Sequence, residues 1–241
     1  MATTPPVPGH ADPALDRTGD ELADRVQAIL VEEGRRYLAE VPRASHLTDE
    51  APLDVGYYVR HRIETIWRIW LTARTDALAL ASMLDEDYDS AREWSRYIAE
   101  ELDHDTMFLA DLTRHGVTVE DVRSTRPFPA TRAMLAEMET EIARVGSIPA
   151  VAYSLFVEWN ADRFSGRAVE KARAALSDAH VAGARRHADF DRDESHLPMI
   201  LRICRRLIDA RADRAKELER SVRSIAAHFR AYFTELDAAC R

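Results

Sequence analysis

From Asp16 to the C-terminus the sequence has a helical pattern almost without interruption, and this feature restricts the fold more than any other. Ala, Leu, Arg and Glu dominate, the 241 residues include only 8 glycines, and no run shows a convincing strand-like alternation. Residues 1–16 are rich in Pro, Thr and Ala and are predicted to form a disordered tail. We therefore predict one all-α domain that spans residues 17–241.

Prolines, glycines and one acidic turn divide this region into roughly seven predicted helices, as in a helical bundle. The acidic run from Asp85 to Asp89 separates the second helix from the third, and Gly146 ends the fourth. The predicted helices cover about 18–41, 54–84, 90–115, 130–145, 150–177, 180–194 and 199–238.

Composition narrows the possible partners and the location. The formal net charge is -9 and there is no basic stripe, which argues against nucleic acid and against an anionic membrane surface. The longest apolar stretch, residues 148–157, is too short to cross a bilayer, and the N-terminus lacks the features of a secretory signal. Cys204 and Cys240 are not a close pair and are interpreted as reduced thiols. These features predict a cytoplasmic protein.

Glu101 and His104 form the first candidate metal motif. Residues at i and i+3 lie on one helix face, and Glu-x-x-His is the unit from which helical bundles build di-iron sites. Hydrophobic residues one turn away on either side favour burial of this face. The competing interpretation is a solvated acidic helix face with an incidental histidine.

Glu158 is the second candidate, because a largely apolar run, residues 151–157, precedes it. A carboxylate on such a face has to be paired, protonated or bound to metal, since an isolated buried charge is unfavourable by several kcal/mol or more. A salt bridge or a helix-surface position is the alternative.

The segment from His187 to Pro198 is the third candidate. His187 and Asp191 are i and i+4 and share a helix face, whereas His196 leaves that face on an ideal helix. Pro198 disrupts the helical hydrogen bonds nearby, and a kink near 192–198 would return His196 to the site.

Without a kink, the shared face is instead Asp189, Asp193 and His196, and Asp193-x-x-His196 would then repeat the first motif. Both arrangements can bind metal, and we favour the first. A polar helix end rich in capping acids is the third interpretation.

Glu64 completes the candidate set. It precedes Glu101 by 37 residues, on the helix expected to run antiparallel to it. Arg68 at i+4 offers an ordinary surface ion pair instead.

Together these residues resemble the haem-oxygenase-like di-iron oxidases and oxygenases. The segment from His187 to Met199 is similar to that family's His-x-x-x-Asp-x(2–4)-His segment, although its gap between Asp191 and His196 is longer than the commonest one. The order of His104, Glu158 and the later His-Asp-His segment is also similar, and the resemblance covers roughly residues 55–210.

The resemblance implies a seven-helix domain that binds two iron ions and uses O₂ as co-substrate. The implied ligands are Glu64, Glu101, His104, Glu158, His187, Asp191 and His196. Implied reactions are N-oxygenation, desaturation and oxidative C–C cleavage of a small amine, amino acid or carboxylate. The oligomeric state stays open, with a homodimer as one alternative. Carboxylate and imidazole ligands without thiolates agree with iron or manganese.

Two other functions stay open at this point. A ferritin-like iron-binding protein would group Glu64 with Glu101 and His104, and Glu158 with Asp193 and His196. A metal-independent enzyme of the same helical fold would have only Cys204 as a plausible buried nucleophile.

Overall fold

The protein is all-helical over the residues described here. The computed structural model describes residues 21–194 and 196–241, and for residues 190–194 it describes the backbone alone. The predicted tail, residues 1–16, lies outside them. Ten α-helices and one short 3₁₀ helix at Asp178–His180 form within the described ranges. The α-helices are α1 Glu21–Glu40, α2 Val55–Glu86, α3 Tyr88–Glu101, α4 His104–Arg114, α5 Val119–Ser124, α6 Pro129–Val145, α7 Ile148–Ala175, α8 Ala182–Glu194, α9 His196–Ala210 and α10 Arg214–Ala239.

Two long helices, α2 and α7, occupy the centre of the bundle. Helix α2 packs against α3, α4 and α6, and α7 packs against α6, α8, α9 and α10. The main core lies between them and includes Trp94, Leu155 and Ile200, each with essentially no exposure. This arrangement leaves the inner faces of α2 and α7 as the places where polar side chains can meet in the interior.

Asp54 and Asp87 set the direction of the first long helices. The Asp54 carboxylate caps α2 by accepting the Tyr57 N–H at 3.0 Å. Asp87 ends α2 and caps α3, accepting the Ser90 N–H at 3.2 Å. Capping satisfies N–H groups that a helix start leaves without partners. The predicted acidic turn is therefore a tight connection, and α3 packs against α2.

Several predicted helices are divided in the structure. The predicted helix 90–115 was wrong as a single element, because the chain turns at Leu102 and Asp103 between α3 and α4. The predicted helix 199–238 is likewise divided, into α9 and α10. The short helix α5, within a stretch not predicted as helix, begins with a capping box between Thr118 and Asp121. Neither α4 nor α10 has a side-chain hydrogen bond at its N-cap residue. Hydrophobic periodicity does not detect these divisions.

No helix formed by residues 21–194 and 196–241 combines the length and apolarity needed to cross a bilayer.

Candidate metal centre

Glu158 lies on the inner face of α7, where the sequence analysis expected a buried carboxylate. It is 6% exposed, and the hydroxyl of Tyr97 on α3 donates a hydrogen bond to its Oε1 at 3.2 Å. Tyr97 is itself 4% exposed. The carboxylate is thus held in the interior by a buried neutral donor, with its charge not cancelled by that contact.

His196 lies beside Glu158 at the start of α9. Helix α8 ends at Glu194 and α9 begins at His196, and residue 195 between them lies outside the described residues. The kink near 192–198 therefore stays a prediction. Pro198 is the third residue of α9. The His196 ring is 3% exposed and packs edge-on against Tyr97, with centroids 5.2 Å apart.

Three ligand-type side chains meet at this point. One ligand atom each from Glu101, Glu158 and His196 lie within 4.8 Å of one another. Nδ1 of His196 is 3.8 Å from Oε1 of Glu101 and 3.8 Å from Oε1 of Glu158. On the other side of the ring, Nε2 is 3.0 Å from Oε2 of Glu100. Glu100 was not among the predicted site residues.

Glu101 faces two different imidazoles. Its Oε1 is directed at His196, and its Oε2 is 3.2 Å from Nδ1 of His104. His104 is the first residue of α4 and is 1% exposed. Glu101 and His104 therefore meet across the turn between two helices rather than along one helix face.

His187 on α8 lies against His104. The two ring centroids are 4.4 Å apart, and the Phe108 ring packs 5.0 Å from His187. The side chain of Asp191, the predicted partner of His187, lies outside the described residues, as does that of Asp193. The structure thus brings Glu101, His104, Glu158, His187 and His196 into one region.

Helix α8 is attached to α4 by a close backbone approach. Asp111 on α4 accepts the N–H groups of Gly183 and Ala184 at 2.7 and 2.8 Å, at the start of α8. A Cβ atom at Gly183 would lie 1.9 Å from the backbone oxygen of Met107, so only glycine fits there. This contact sets the position of His187 one turn further along α8.

Glu64 is not at this cluster. It is fully buried, but Arg60 donates to its Oε2 at 2.8 Å and the Phe128 N–H donates to its Oε1 at 2.9 Å. Its assignment as a metal ligand stays a prediction, and these contacts do not favour it.

Asp76 is the α2 carboxylate that faces the cluster. It is 6% exposed, and its Oδ1 is buried without a hydrogen-bond partner among the described residues. Burial and the charge of Glu101 raise its pKa to about 8. The spacing around the Asp87 turn could have identified this residue. Glu101 follows the turn by 14 residues, and Asp76, which precedes it by 11, is closer to that distance than Glu64, which precedes it by 23.

The carboxylates also change the protonation of His196. Burial alone would lower its pKa, but hydrogen bonding and charge from Glu158, together with Glu100 and Glu101, outweigh burial and raise it to about 9. A protonated His196 can act as a counter-charge to these carboxylates. A bound metal ion would take over that role.

Comparison with known proteins agrees with this architecture. The fold is similar to a domain of unknown function with a haem-oxygenase-like fold from Shewanella denitrificans OS217, with TM-score 0.76, 16% identity, and coverage of 90% of this chain and 92% of that one. It is also similar to a TenA homolog from Pseudomonas syringae pv. tomato strain DC3000, with TM-score 0.72, 17% identity, and coverage of 90% and 93%. No family model and no curated protein matches the sequence. The chain therefore has an all-α, haem-oxygenase-like fold.

Proposed function

We propose that this protein is a non-haem iron enzyme that activates O₂ at a pair of iron ions. The observation that supports a pair is the position of Glu101, whose two oxygens face His196 and His104 respectively. A carboxylate between two imidazoles is suited to bridge two ions, each with its own histidine. Helical bundles build their di-iron sites from such groups on facing helices.

The donor set fits a hard divalent cation. Oε1 of Glu101 and Oδ1 of Asp76 are buried and have no hydrogen-bond partner among the described residues. Buried carboxylates grouped with Glu158 repel one another unless a cation compensates them. Oxygen and imidazole donors without thiolate suit iron or manganese.

The proposal assigns the ligands to two ions. One ion would be bound by Glu158 and His196. The second ion would be bound by His104 and His187, with Asp191 as a further proposed ligand. Glu101 would bind both ions. Two ferrous ions at this site would supply electrons for the reduction of O₂.

Two neighbouring groups would support the ligands. Tyr97 donates to Glu158 and fixes its orientation, as groups behind metal ligands commonly do. Asp76, with its raised pKa, can hold a proton beside Glu101 near neutral pH.

Anaerobic Fe(II) titration followed by metal analysis and Mössbauer spectroscopy tests the iron pair. The wild type is expected to bind about two iron equivalents as a coupled pair. Glu101→Gln is expected to lose both, and Glu120→Gln, at a highly exposed surface carboxylate, to lose neither. A wild type that binds no iron, or a Glu101→Gln variant that still binds two, contradicts the proposal.

The proposed substrate is a small amine, amino acid or carboxylate, and the proposed outcome is N-oxygenation, desaturation or oxidative C–C cleavage. Oxygen uptake by the Fe(II)-loaded protein, measured with a panel of such compounds, tests this class. Mass analysis then separates a gain of oxygen from a loss of two hydrogens or a cleaved bond. Uptake that no compound stimulates contradicts the proposal.

A metal-independent enzyme is the second candidate, because one similar fold belongs to a TenA homolog. The expected nucleophile for that function, Cys204, is fully buried in the hydrophobic core, and burial raises its pKa to about 12. A thiol in this state is a poor nucleophile. The ferritin-like alternative is also weakened, since Arg60 and the Phe128 N–H occupy the Glu64 oxygens.

A further inference from the structure

A second polar site lies along the inner face of α2, at Arg68. Its side chain enters a pocket between α2, α6 and α10 that Thr131, Met134, His228, Phe229 and Tyr232 also line. Arg68 is 8% exposed and Thr131 is 1% exposed. A guanidinium is permanently charged, and its burial is unfavourable unless an acceptor is present.

Two hydrogen-bond donors in this pocket lack acceptors. Nη2 of Arg68 donates to Oγ1 of Thr65 at 3.1 Å, but Nη1 has no partner among the described residues. The Thr131 hydroxyl is likewise buried without a partner among them. Unsatisfied buried donors are rare in folded proteins, and two at one pocket indicate a missing acceptor.

The charge around Arg68 is incompletely balanced. The nearest acid along α2 is Glu64, and Arg60 is already paired with it. The guanidinium also lies over the ring of Tyr232, 4.7 Å from its centroid, and near that of Phe229, at 5.4 Å. These ring contacts hold the guanidinium in place, and the hydroxyls of Tyr153 and Tyr232 also interact with it. Nη1 is left for an acceptor such as a carboxylate.

Helix α2 carries both Arg68 and Asp76, the buried carboxylate that interacts with Glu101. Arg68 and Asp76 are eight residues apart, which is about 12 Å along a helix, and the buried Thr72 and Thr75 lie between them. The pKa of the Tyr153 phenol on α7 responds to both groups of charges. Burial raises this pKa, the Arg68 charge lowers it, and the Asp76 and Glu101 charges raise it. Tyr153 is therefore within electrostatic range of Arg68, Asp76 and Glu101.

We propose that Arg68 and Thr131 bind the carboxylate of the substrate and place the remainder of the molecule toward the metal centre. This inference rests on the proposed function, because it takes Glu101 and its neighbours as the place of reaction. It narrows the substrate to a small carboxylic acid whose reacting atom is several bonds from the carboxylate. Free amines without an acid group would bind poorly.

The pocket is closed in this structure, since its lining side chains leave no space for a water molecule. His228 and Phe229 on α10 are partly exposed and cover it. Rotation of these two side chains is the expected route of entry. Binding should therefore protect α10 against amide hydrogen exchange.

The test measures binding to the metal-free, full-length protein, so that it does not depend on iron or on activity. Hexanoate and its neutral analogue hexanamide are titrated by calorimetry and by thermal shift. Hexanoate is expected to bind and hexanamide is not. Arg68→Gln should lower the affinity for hexanoate about ten- to a hundredfold, because it removes a charge-assisted hydrogen bond. Arg74→Gln, at an exposed arginine of the same helix, should change nothing.

Two further measurements keep the test decisive. Thr131→Val retains the packing and should lower the affinity for hexanoate severalfold. This variant tests the site even if Arg68→Gln does not fold. Inorganic phosphate that stabilises the protein as well as hexanoate does would overturn the proposal, and so would equal binding of hexanamide. If hexanoate binds as expected but Fe(II) does not, the proposed function fails and the carboxylate site stands. If Fe(II) binds but hexanoate does not, the carboxylate site fails and the proposed function stands.

Discussion

The imidazole rings of His104 and His187 lie with their centroids 4.4 Å apart, although 83 residues separate them in the chain. His104 is the first residue of α4, and His187 is in the second turn of α8. In the proposed iron pair, these two histidines would bind the same ion, and Glu101 lies beside His104. The ferritin-like alternative does not use His187 as a ligand, so the role of this residue distinguishes the two proposed functions.

His187→Ala is expected to lower bound iron from about two equivalents to about one, because it removes an imidazole of the second ion. Asp193→Ala is expected to retain both ions. Metal analysis after anaerobic Fe(II) loading measures the difference, with His180→Ala, at a partly exposed histidine that packs against His115, as control. The opposite ranking, with Asp193 essential and His187 dispensable, would favour the ferritin-like function.

Gly183→Ala is expected to separate α8 from α4. The new Cβ would lie 1.9 Å from the backbone oxygen of Met107, which cannot move as a side chain can. Overpacking of this kind destabilises by about 1–3 kcal/mol. The displacement should also move His187 away from His104, so iron binding should fall together with the free energy of unfolding.

Gly166→Ala is the matched control for that variant. Gly166 lies within α7, and a Cβ there would have no atom within 4 Å. Alanine is favoured over glycine inside a helix by up to about 1 kcal/mol, so this variant should be unchanged or more stable. Urea unfolding of both variants, with iron analysis, decides the outcome. A Gly183→Ala protein as stable as the wild type would show that α8 is not fixed by this contact.

The fold was predictable because its strongest signals are local. Helix-forming composition and the breaks at Pro52, Asp87 and Gly146 specify an all-α chain with nearly correct ends for α2 and α6. The turn at Leu102 and Asp103 was not predictable, because both residues are compatible with a continuing helix. Tertiary packing of α4 against α8 is a nonlocal feature that such patterns do not report.

The site was predictable in part for the same reason. The burial of Glu158 follows from the apolar run before it, which is a local signal. The kink that Pro198 predicts before His196 stays a prediction, because residue 195 lies outside the described residues. The choice between Glu64 and Asp76 depends on how α2 and α3 align across the Asp87 turn. Chain order alone favoured Glu64, whereas distance from the turn favours Asp76.

Tyr97→Phe is expected to weaken iron binding or turnover about ten- to a hundredfold, the usual effect of removing a group that orients a metal ligand. The substitution deletes the hydroxyl that donates to Glu158 and keeps the ring that packs against His196. Fe(II) affinity and O₂ uptake measure it. Tyr88→Phe, at a tyrosine 63% exposed, should change neither. Loss of stability without any change in iron affinity would assign Tyr97 to packing alone.

Acid stability should depend on Asp237, which attaches the end of α10 to the loop after α1. Asp237 is 2% exposed and accepts from Arg43 at 2.6 Å and from Arg241. Burial alone would raise its pKa, but the hydrogen bonds from Arg241 and Arg43 outweigh burial and lower it.

Because this folded-state pKa lies below the unfolded value, the stabilisation is present above about pH 4 and is lost as the pH falls through the folded pKa. Asp237→Asn should lower the free energy of unfolding at pH 7 by about 1–3 kcal/mol, since it removes a charged acceptor from two guanidinium groups. It should also flatten the dependence of stability on pH between about pH 5 and 3. Urea unfolding at pH 7 and across the acidic range measures both effects. Asp213→Asn, at an exposed partner of Arg211, should reproduce neither. An Asp237→Asn protein that keeps the acid dependence of the wild type would show that other carboxylates are responsible.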